Sequence, residues 1–209
     1  MTIAVPLPRT PSDGGVARWY EHELGWATAA GPPVQLVTGL RFDVLELPAA
    51  AGRGVLRRVG AATGPVALMG RRMRLLVAAG SAEELPGLLD WLEWRGISLD
   101  LAMLGADGRM TAPVPPGGRP TGRSAYGAAP GPAVWLRAPE PGREVESSLP
   151  ALRPSSRSGA SADGAAPCLV RLVAAAAAEC HRARLLSAAR AHRPEPAAAG
   201  AGGQRLASS

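Results

Sequence analysis

The segment Arg41–Leu47 constrains the fold of this 209-residue chain more than any other. It follows a Thr38-Gly39 turn and is almost continuously apolar. Such a run is typical of a strand buried on both faces, because a strand with one solvated face alternates apolar and polar residues. Two carboxylates, Asp43 and Glu46, lie within it. The sequence therefore predicts a central strand that carries acidic side chains near its end.

Helical and extended patterns surround this strand. The clearest helix is Ala82–Arg95, in which leucines recur at helical spacing after a Ser81 cap and before Gly96. Two more helices are predicted, one from the Ser12 and Asp13 caps to Gly25 and one at Ala49–Val59. The other predicted strands are Val34–Val37, Val66–Met69, Met73–Ala78, Leu99–Leu104, Arg109–Ala112 and Val134–Leu136. Strands interspersed with helices favour a compact α/β or α+β domain over residues 12–138.

The rest of the chain has a different composition. Residues 1–11 resemble a flexible arm, and residues 139–166 are rich in Pro, Ser, Gly and Ala, which is typical of a disordered linker. A helix is predicted over residues 167–193, centred on Leu169–Ala191, before a disordered tail at 194–209. An isolated helix of this length is marginal in water, so it is expected to dock on the domain or on an unknown protein partner.

Charge and composition limit the classes of function. All 23 basic residues are arginines, and the net charge of +6 falls mostly outside the domain, since residues 1–136 carry 13 arginines against 11 acidic residues. This charge permits attraction to nucleic acid without establishing it. Cys168 and Cys180 are too few for a disulfide framework. With no signal pattern and no apolar run long enough to span a membrane, the expectation is a soluble cytoplasmic protein.

The candidate metal ligands are few. Asp43 and Glu46 are the first candidates, but a separation of three residues places two strand side chains on opposite faces, which argues against one shared ion. The histidines His22, His181 and His192 have no spacing that would form a metal or catalytic site. No cofactor is expected on this basis.

Other side chains suggest binding rather than catalysis. Arg71, Arg72 and Arg74 form a candidate phosphate site together with Arg57 and Arg58, although scattered solvated charges are the simpler interpretation. Two tryptophans of the clearest helix are predicted to be core or domain-interface residues, namely Trp91 and Trp94.

Three segments, taken in order, resemble the N-terminal domain of bifunctional DNA primase-polymerases, members of the archaeo-eukaryotic primase superfamily. The first is the helix ending in residues 19–26, WYEHELGW. The second is Thr38-Gly39 followed by the strand residues 44–48, VLELP. The third runs from a glycine turn at 105–110 through the prolines of 112–117 to Trp135. The resemblance spans residues 16–139 and implies a mixed sheet flanked by helices.

The chain departs from the family pattern at two positions. Family members hold catalytic metals with an Asp-x-Asp pair, and the matching residues here are Glu46 and Pro48. A family histidine that contacts nucleotide phosphates is replaced by Met73. The resemblance therefore predicts a degenerate, non-catalytic domain that serves as a regulatory or binding module.

Two alternatives remain open. One is an active DNA primase-polymerase that binds Mg²⁺ or Mn²⁺ through Glu46, Asp43 or Asp100. The other is a nucleotide-sensing domain that contacts phosphates through Arg71 and its neighbours Arg72 and Arg74, without chemistry.

Overall fold

The computed structural model describes residues 13–29, 31–60, 62–118, 131–152 and 168–191. Its helices are α1 (Asp13–Glu23), α2 (Ala49–Val59), α3 (Ser81–Trp91) and α4 (Leu169–Ala191), with a 3-10 turn at Val145–Ser148. Its strands are β1 (Thr28–Ala29), β2 (Gln35–Val37), β3 (Phe42–Pro48), β4 (Val66–Met69), β5 (Arg72–Ala78), β6 (Ala102–Leu104), β7 (Arg109–Thr111) and β8 (Val134–Arg137). The predicted arm, the tail and the part of the predicted linker after Leu152 lie outside the described residues.

The strands form two sheets. The larger has the order β6-β3-β5-β4-β8 and the smaller the order β1-β2-β7. Strands β3 and β5 pair along their whole lengths, from Phe42 opposite Ala78 to Pro48 opposite Arg72. The α+β class is thus confirmed. All pairings between the named strands are antiparallel, whereas a mixed sheet was expected.

The central strand β3 is buried on both faces, as predicted. Leu45 and Leu47 point to the face covered by α2, α3 and α4, which we call the helical face. Phe42 and Val44 point to the opposite face, the second face, where α1 and the smaller sheet pack. Side chains alternate along a strand, so Asp43 belongs to the helical face and Glu46 to the second face.

An aromatic group anchors α1 on the second face. Tyr20 is fully buried; its hydroxyl donates to the carbonyl of Pro113 at 2.7 Å and accepts from Trp135 Nε1 at 2.8 Å. Trp26 packs between Tyr20 and Phe42, with ring centroids 6.0 and 4.5 Å away. Burial raises the pKa of Tyr20, so the phenol stays protonated and keeps donating.

Two glycines explain how α2 packs so closely on its neighbours. A Cβ at Gly52 would overlap Met73, and a Cβ at Gly54 would overlap the carboxylate of Glu179 on α4. Glu179 is buried and pairs with Arg58 Nε at 2.9 Å. Gly52 and Gly54 lower the intrinsic helix propensity of α2, and the structure shows that close packing is what they provide.

The C-terminal helix docks on its own chain. The first half of α4 fills the helical face with Leu169, Leu172, Val173 and Ala176, all fully buried. This helix is therefore part of the domain core, whereas Arg182 and residues 184–191 at its end are exposed. Of the two expected docking sites, the first half of α4 occupies the one on its own domain.

The segment after Pro139 is ordered further than its composition predicted. Val145 and Leu149 are buried in the second-face core, and the backbone N–H of Ala78 donates to the carbonyl of Pro150 at 2.9 Å. A disordered linker beginning at residue 139 is thus wrong for residues 139–152. Two well-placed apolar anchors are enough to fix a Pro-rich segment on a preformed surface.

Helix α3 is shorter than the leucine pattern suggested. It ends at Trp91, and Glu93 follows in the left-handed region with φ of 62°, so the predicted continuation to Arg95 is wrong. Trp91 is 72% exposed, so of the two predicted locations, core or domain interface, the core is wrong for this residue. Trp94 is partly buried and packs on His181, with ring centroids 5.6 Å apart.

Candidate functional site

Asp43 lies on the helical face, where it caps a helix. It is 1% exposed, and its Oδ2 accepts from the backbone N–H of Ala82 at 2.8 Å, at the start of α3. The residue at the helix N-cap position, Gly80, has no side chain for this purpose. An aspartate therefore supplies the cap from a distant strand, which the sequence could not show.

The electrostatics of Asp43 fit this structural role. Burial raises its pKa above 3.8, partly offset by the N–H groups of Ala82, Gly80 and Ser81, while the charge of Glu83 raises it further. Its Oδ1 has no hydrogen-bond partner among the described residues. Because Asp43 faces away from Glu46, the two carboxylates do not converge on a common ligand.

Glu46 lies on the second face and is engaged by two arginines of β5. Its Oε1 accepts from Arg72 Nε at 3.1 Å, and its Oε2 accepts from Arg74 Nε at 2.7 Å. The antiparallel register creates this arrangement, since Glu46 is directly opposite Arg74 and Arg72 is two residues along on the same face. The side chain of Glu46 is 18% exposed and that of Arg74 11%.

Asp100 completes a cluster of four charged side chains, which we call the charged site. Its Oδ1 accepts from Arg72 Nη1 at 2.6 Å. The guanidinium of Arg72 thus lies between the carboxylates of Glu46 and Asp100. These carboxylates keep the pKa of Arg72 raised despite the opposing effect of burial, so the site is built around a permanent cation.

The charged site does not fit a divalent metal ion. A cation bridging Glu46 and Asp100 would need the space that the Arg72 guanidinium fills, and it would meet Arg74 beside it. Two unit charges about 4 Å apart repel by about 4 kcal/mol at an effective dielectric constant near 20. Across the described ranges, no group of three or more His, Cys, Asp or Glu side chains could hold a metal ion.

The two substituted family positions occupy different faces of the sheet. Pro48 ends β3 opposite Arg72 and contributes no ligand near Glu46. Met73 is 1% exposed in the core of the helical face. Arg72 and Arg74 share the face of Glu46, so Met73 and Glu46 do not converge on one site.

The candidate arginine patch is only partly assembled. Arg72 and Arg74 meet at Glu46, and Arg71 is exposed in the β4–β5 turn beside them. Arg58 instead pairs with Glu179 on the helical side, and Arg57 is exposed on α2. The patch for an anion is therefore limited to the three arginines of the β4–β5 hairpin.

The remaining candidates for chemistry have structural explanations. His22 is exposed on α1, and His192 lies outside the described residues. Cys180 is buried with its Sγ 3.5 Å from the carbonyl of Asp100, and burial raises the pKa of its thiol to about 12. A thiol with so high a pKa is a poor nucleophile.

A groove of about 550 Å³ was missed by the sequence reasoning. It lies where β8 meets the segment after Pro139, and Arg137, Glu140 and Arg143 are among the residues that line it. The guanidinium of Arg137 donates to Thr63 Oγ1 at 2.5 Å, and Arg143 pairs with Glu140 at 2.6 Å. No sequence signal pointed to it, because its wall is the segment interpreted as a linker.

Searches against protein-family models, curated proteins and solved structures find no match for this chain. The resemblance to primase-polymerases therefore stays a prediction that depends on the sequence motifs. Among the described residues, none of the helices combines the length and apolar character that a membrane crossing requires.

Proposed function

We propose that this chain is a primase-polymerase-like domain that does not catalyse nucleotidyl transfer and acts as a regulatory or binding module. The observation that carries the proposal is the position of Arg72 between Glu46 and Asp100, with Arg74 on the second oxygen of Glu46. The family placement itself is taken from the motifs described above.

The chemistry explains how this arrangement supports the proposal. Nucleotidyl transfer needs carboxylates that are free to hold metal ions against the phosphates of the incoming nucleotide. In the charged site both carboxylates are neutralised by guanidinium groups, and Asp43 lies on the opposite face. The enzyme alternative would require Arg72 to leave two charge-assisted hydrogen bonds before the first metal ion could bind.

A second candidate function is nucleotide sensing without chemistry. Arg72 and Arg74 are each oriented by an Nε bond to Glu46, and the exposed Arg71 adjoins them. With Glu46 and Asp100 included, the five side chains carry one net positive charge. Guanidinium groups held in place match the geometry of phosphate oxygens, which supports weak binding of a nucleotide phosphate.

A primer-extension assay separates the enzyme from the two non-catalytic functions. The full chain is incubated with a primed template, nucleotides and Mn²⁺ or Mg²⁺, beside its Glu46→Ala variant. We expect no extension from either protein. Extension by the native chain that Glu46→Ala abolishes would establish the enzyme and refute the proposal.

A thermal shift measurement on the same protein tests sensing. A ligand that binds only the folded state raises the melting temperature. A nucleotide-dependent rise that disappears in Arg71→Ala, and persists in the control Arg57→Ala, would favour the sensing function. No rise and no extension is the outcome expected of a module whose partner is a protein.

A further inference from the structure

The last turns of α4 extend beyond the domain core. Burial along the helix ends at Cys180, whereas Arg182 and residues 184–191 are all exposed. At a rise of 1.5 Å per residue, the exposed end is about 15 Å long. Leu185 is 56% exposed and Leu186 is 51% exposed, so this end of the helix presents apolar surface to solvent.

This end of α4 carries one sign of charge. Residues 181–191 include three arginines and no acidic residue. Arg182, Leu186 and Arg190 recur at i, i+4 and i+8, so they form one stripe with a leucine between two guanidinium groups. The two arginines are about 12 Å apart along the helix. We call Arg182, Leu186 and Arg190 the basic stripe.

The exposed side of α3 has the complementary character. Glu83 and Asp90 are exposed, seven residues apart, and so lie on one stripe about 10 Å apart along the helix. Trp91, beside Asp90, is 72% exposed. Asp90 also pairs with Arg95 at 2.6 Å, but the side chains are 48% and 79% exposed, and such a pair contributes little. Glu83, Asp90 and Trp91 form the acidic surface.

The helices that carry the two surfaces are neighbours in the fold. The segment that follows α3 contacts α4 twice, through the rings of Trp94 and His181 and through Arg184 Nη1, which donates to the carbonyl of Ser98 at 2.8 Å. Arg184 is two residues from Arg182, so the basic stripe lies on a different side of α4 from this contact. Both helices pack on the helical face of the larger sheet, so their exposed sides belong to the outer surface of one layer. A two-fold axis in the plane of that surface lets each copy present both halves of the contact, as a closed dimer requires.

We propose that two copies of this chain associate here, the basic stripe of each packing on the acidic surface of the other. The two arginines of the basic stripe and the two acidic residues of the acidic surface have nearly the same spacing along their helices, with a difference of about 2 Å. Each contact also covers a tryptophan and a leucine that are solvent-exposed in the single chain. Charge complementarity sets the register and the apolar residues supply the buried area.

The test is sedimentation equilibrium of the full chain and of two charge-reversed variants. The native chain is expected to dimerise, more weakly as salt is raised. The first variant combines Arg182→Glu with Arg190→Glu, and the second combines Glu83→Arg with Asp90→Arg. Each double variant should raise the dimer dissociation constant at least about tenfold. Arg171→Glu, an exposed position on the docked half of α4, is the matched control and should leave it unchanged.

Mixing the two reversed variants gives the sharpest readout. The variant with Arg182→Glu and Arg190→Glu carries acidic charge on both surfaces, and the variant with Glu83→Arg and Asp90→Arg carries basic charge on both. A heterodimer of the two therefore restores opposite charges at both contacts. Recovery of dimer in the mixture also shows that both variants are folded. A native chain that stays monomeric at low salt would overturn the proposal, as would reversed variants that still self-associate. A monomer whose binding to duplex DNA is lost in Arg182→Glu with Arg190→Glu would assign the basic stripe to nucleic acid instead.

Discussion

Replacing Glu46 by alanine tests the charged site most informatively, because the sign of the effect on stability depends on what the site is. Clustered carboxylates of an empty metal site repel one another, so removing one stabilises the fold. In this chain Glu46 is the shared partner of Arg72 and Arg74, so its removal leaves two partly buried cations adjacent with Asp100 as the remaining acidic partner of Arg72. The account therefore predicts destabilisation.

The magnitude follows from the partners that remain. Arg72 keeps its bond to Asp100, whereas the contact that Arg74 keeps among the described residues is one of 3.7 Å from Nη1 to the sulfur of Met69. Breaking a fully buried pair costs about 3–5 kcal/mol and an exposed pair at most about 1 kcal/mol. With the side chain of Arg74 at 11% exposure and that of Arg72 at 29%, we expect about 2–3 kcal/mol for Glu46→Ala.

The assay is urea denaturation at neutral pH, with two comparisons. Asp100→Ala removes a side chain that is 67% exposed and should cost less than about 1 kcal/mol. Glu23→Ala, at an exposed position of α1, should be close to neutral. A Glu46→Ala protein that is as stable as the native chain, or more stable, would show that Glu46 does not stabilise the two arginines.

Three further predictions concern the opposite, helical face of the sheet. Gly54→Ala would gain about 1 kcal/mol of helix propensity. We nevertheless expect urea denaturation to give a lower free energy of unfolding than for the native chain, because the new Cβ overlaps the buried Glu179 carboxylate. Burial raises the folded-state pKa of Asp43 above 3.8, so ionisation costs stability above that pH and the cost disappears below it. The stability of Asp43→Asn relative to the native chain should therefore increase from about pH 4 to pH 7, and a constant difference would contradict this. Ending the chain after Leu152 removes α4 from the core, so the thermal unfolding transition followed by circular dichroism should no longer be cooperative. A shortened chain that still unfolds cooperatively would show that α4 is a dispensable tail.

The sequence predicted the central strand well because its signal is local. Arg41–Leu47 is apolar in nearly every position, and the structure has β3 at Phe42–Pro48, buried on both sides. The period-two rule also separated Asp43 from Glu46 correctly. Helix α2 was predicted with its observed bounds despite its two glycines.

What the sequence could not show depends on contacts between distant segments. Nothing near Asp43 indicates that it caps a helix that begins at Ser81. The pairing of Glu46 with Arg72 and Arg74 follows from the β3–β5 register, which a single sequence does not specify. The same limit applies to the segment after Pro139, whose anchors Val145 and Leu149 matter only because a preformed core receives them.

The most direct test of the central claim, that arginines close the charged site to metal ions, is a Mn²⁺ titration of the full chain followed by electron paramagnetic resonance. The account predicts that the free Mn²⁺ signal is the same with the native chain as with Glu46→Gln, since Arg72 already neutralises Glu46 and Asp100. A saturable loss of the free signal that Glu46→Gln abolishes would show that the carboxylates bind metal and would contradict the claim.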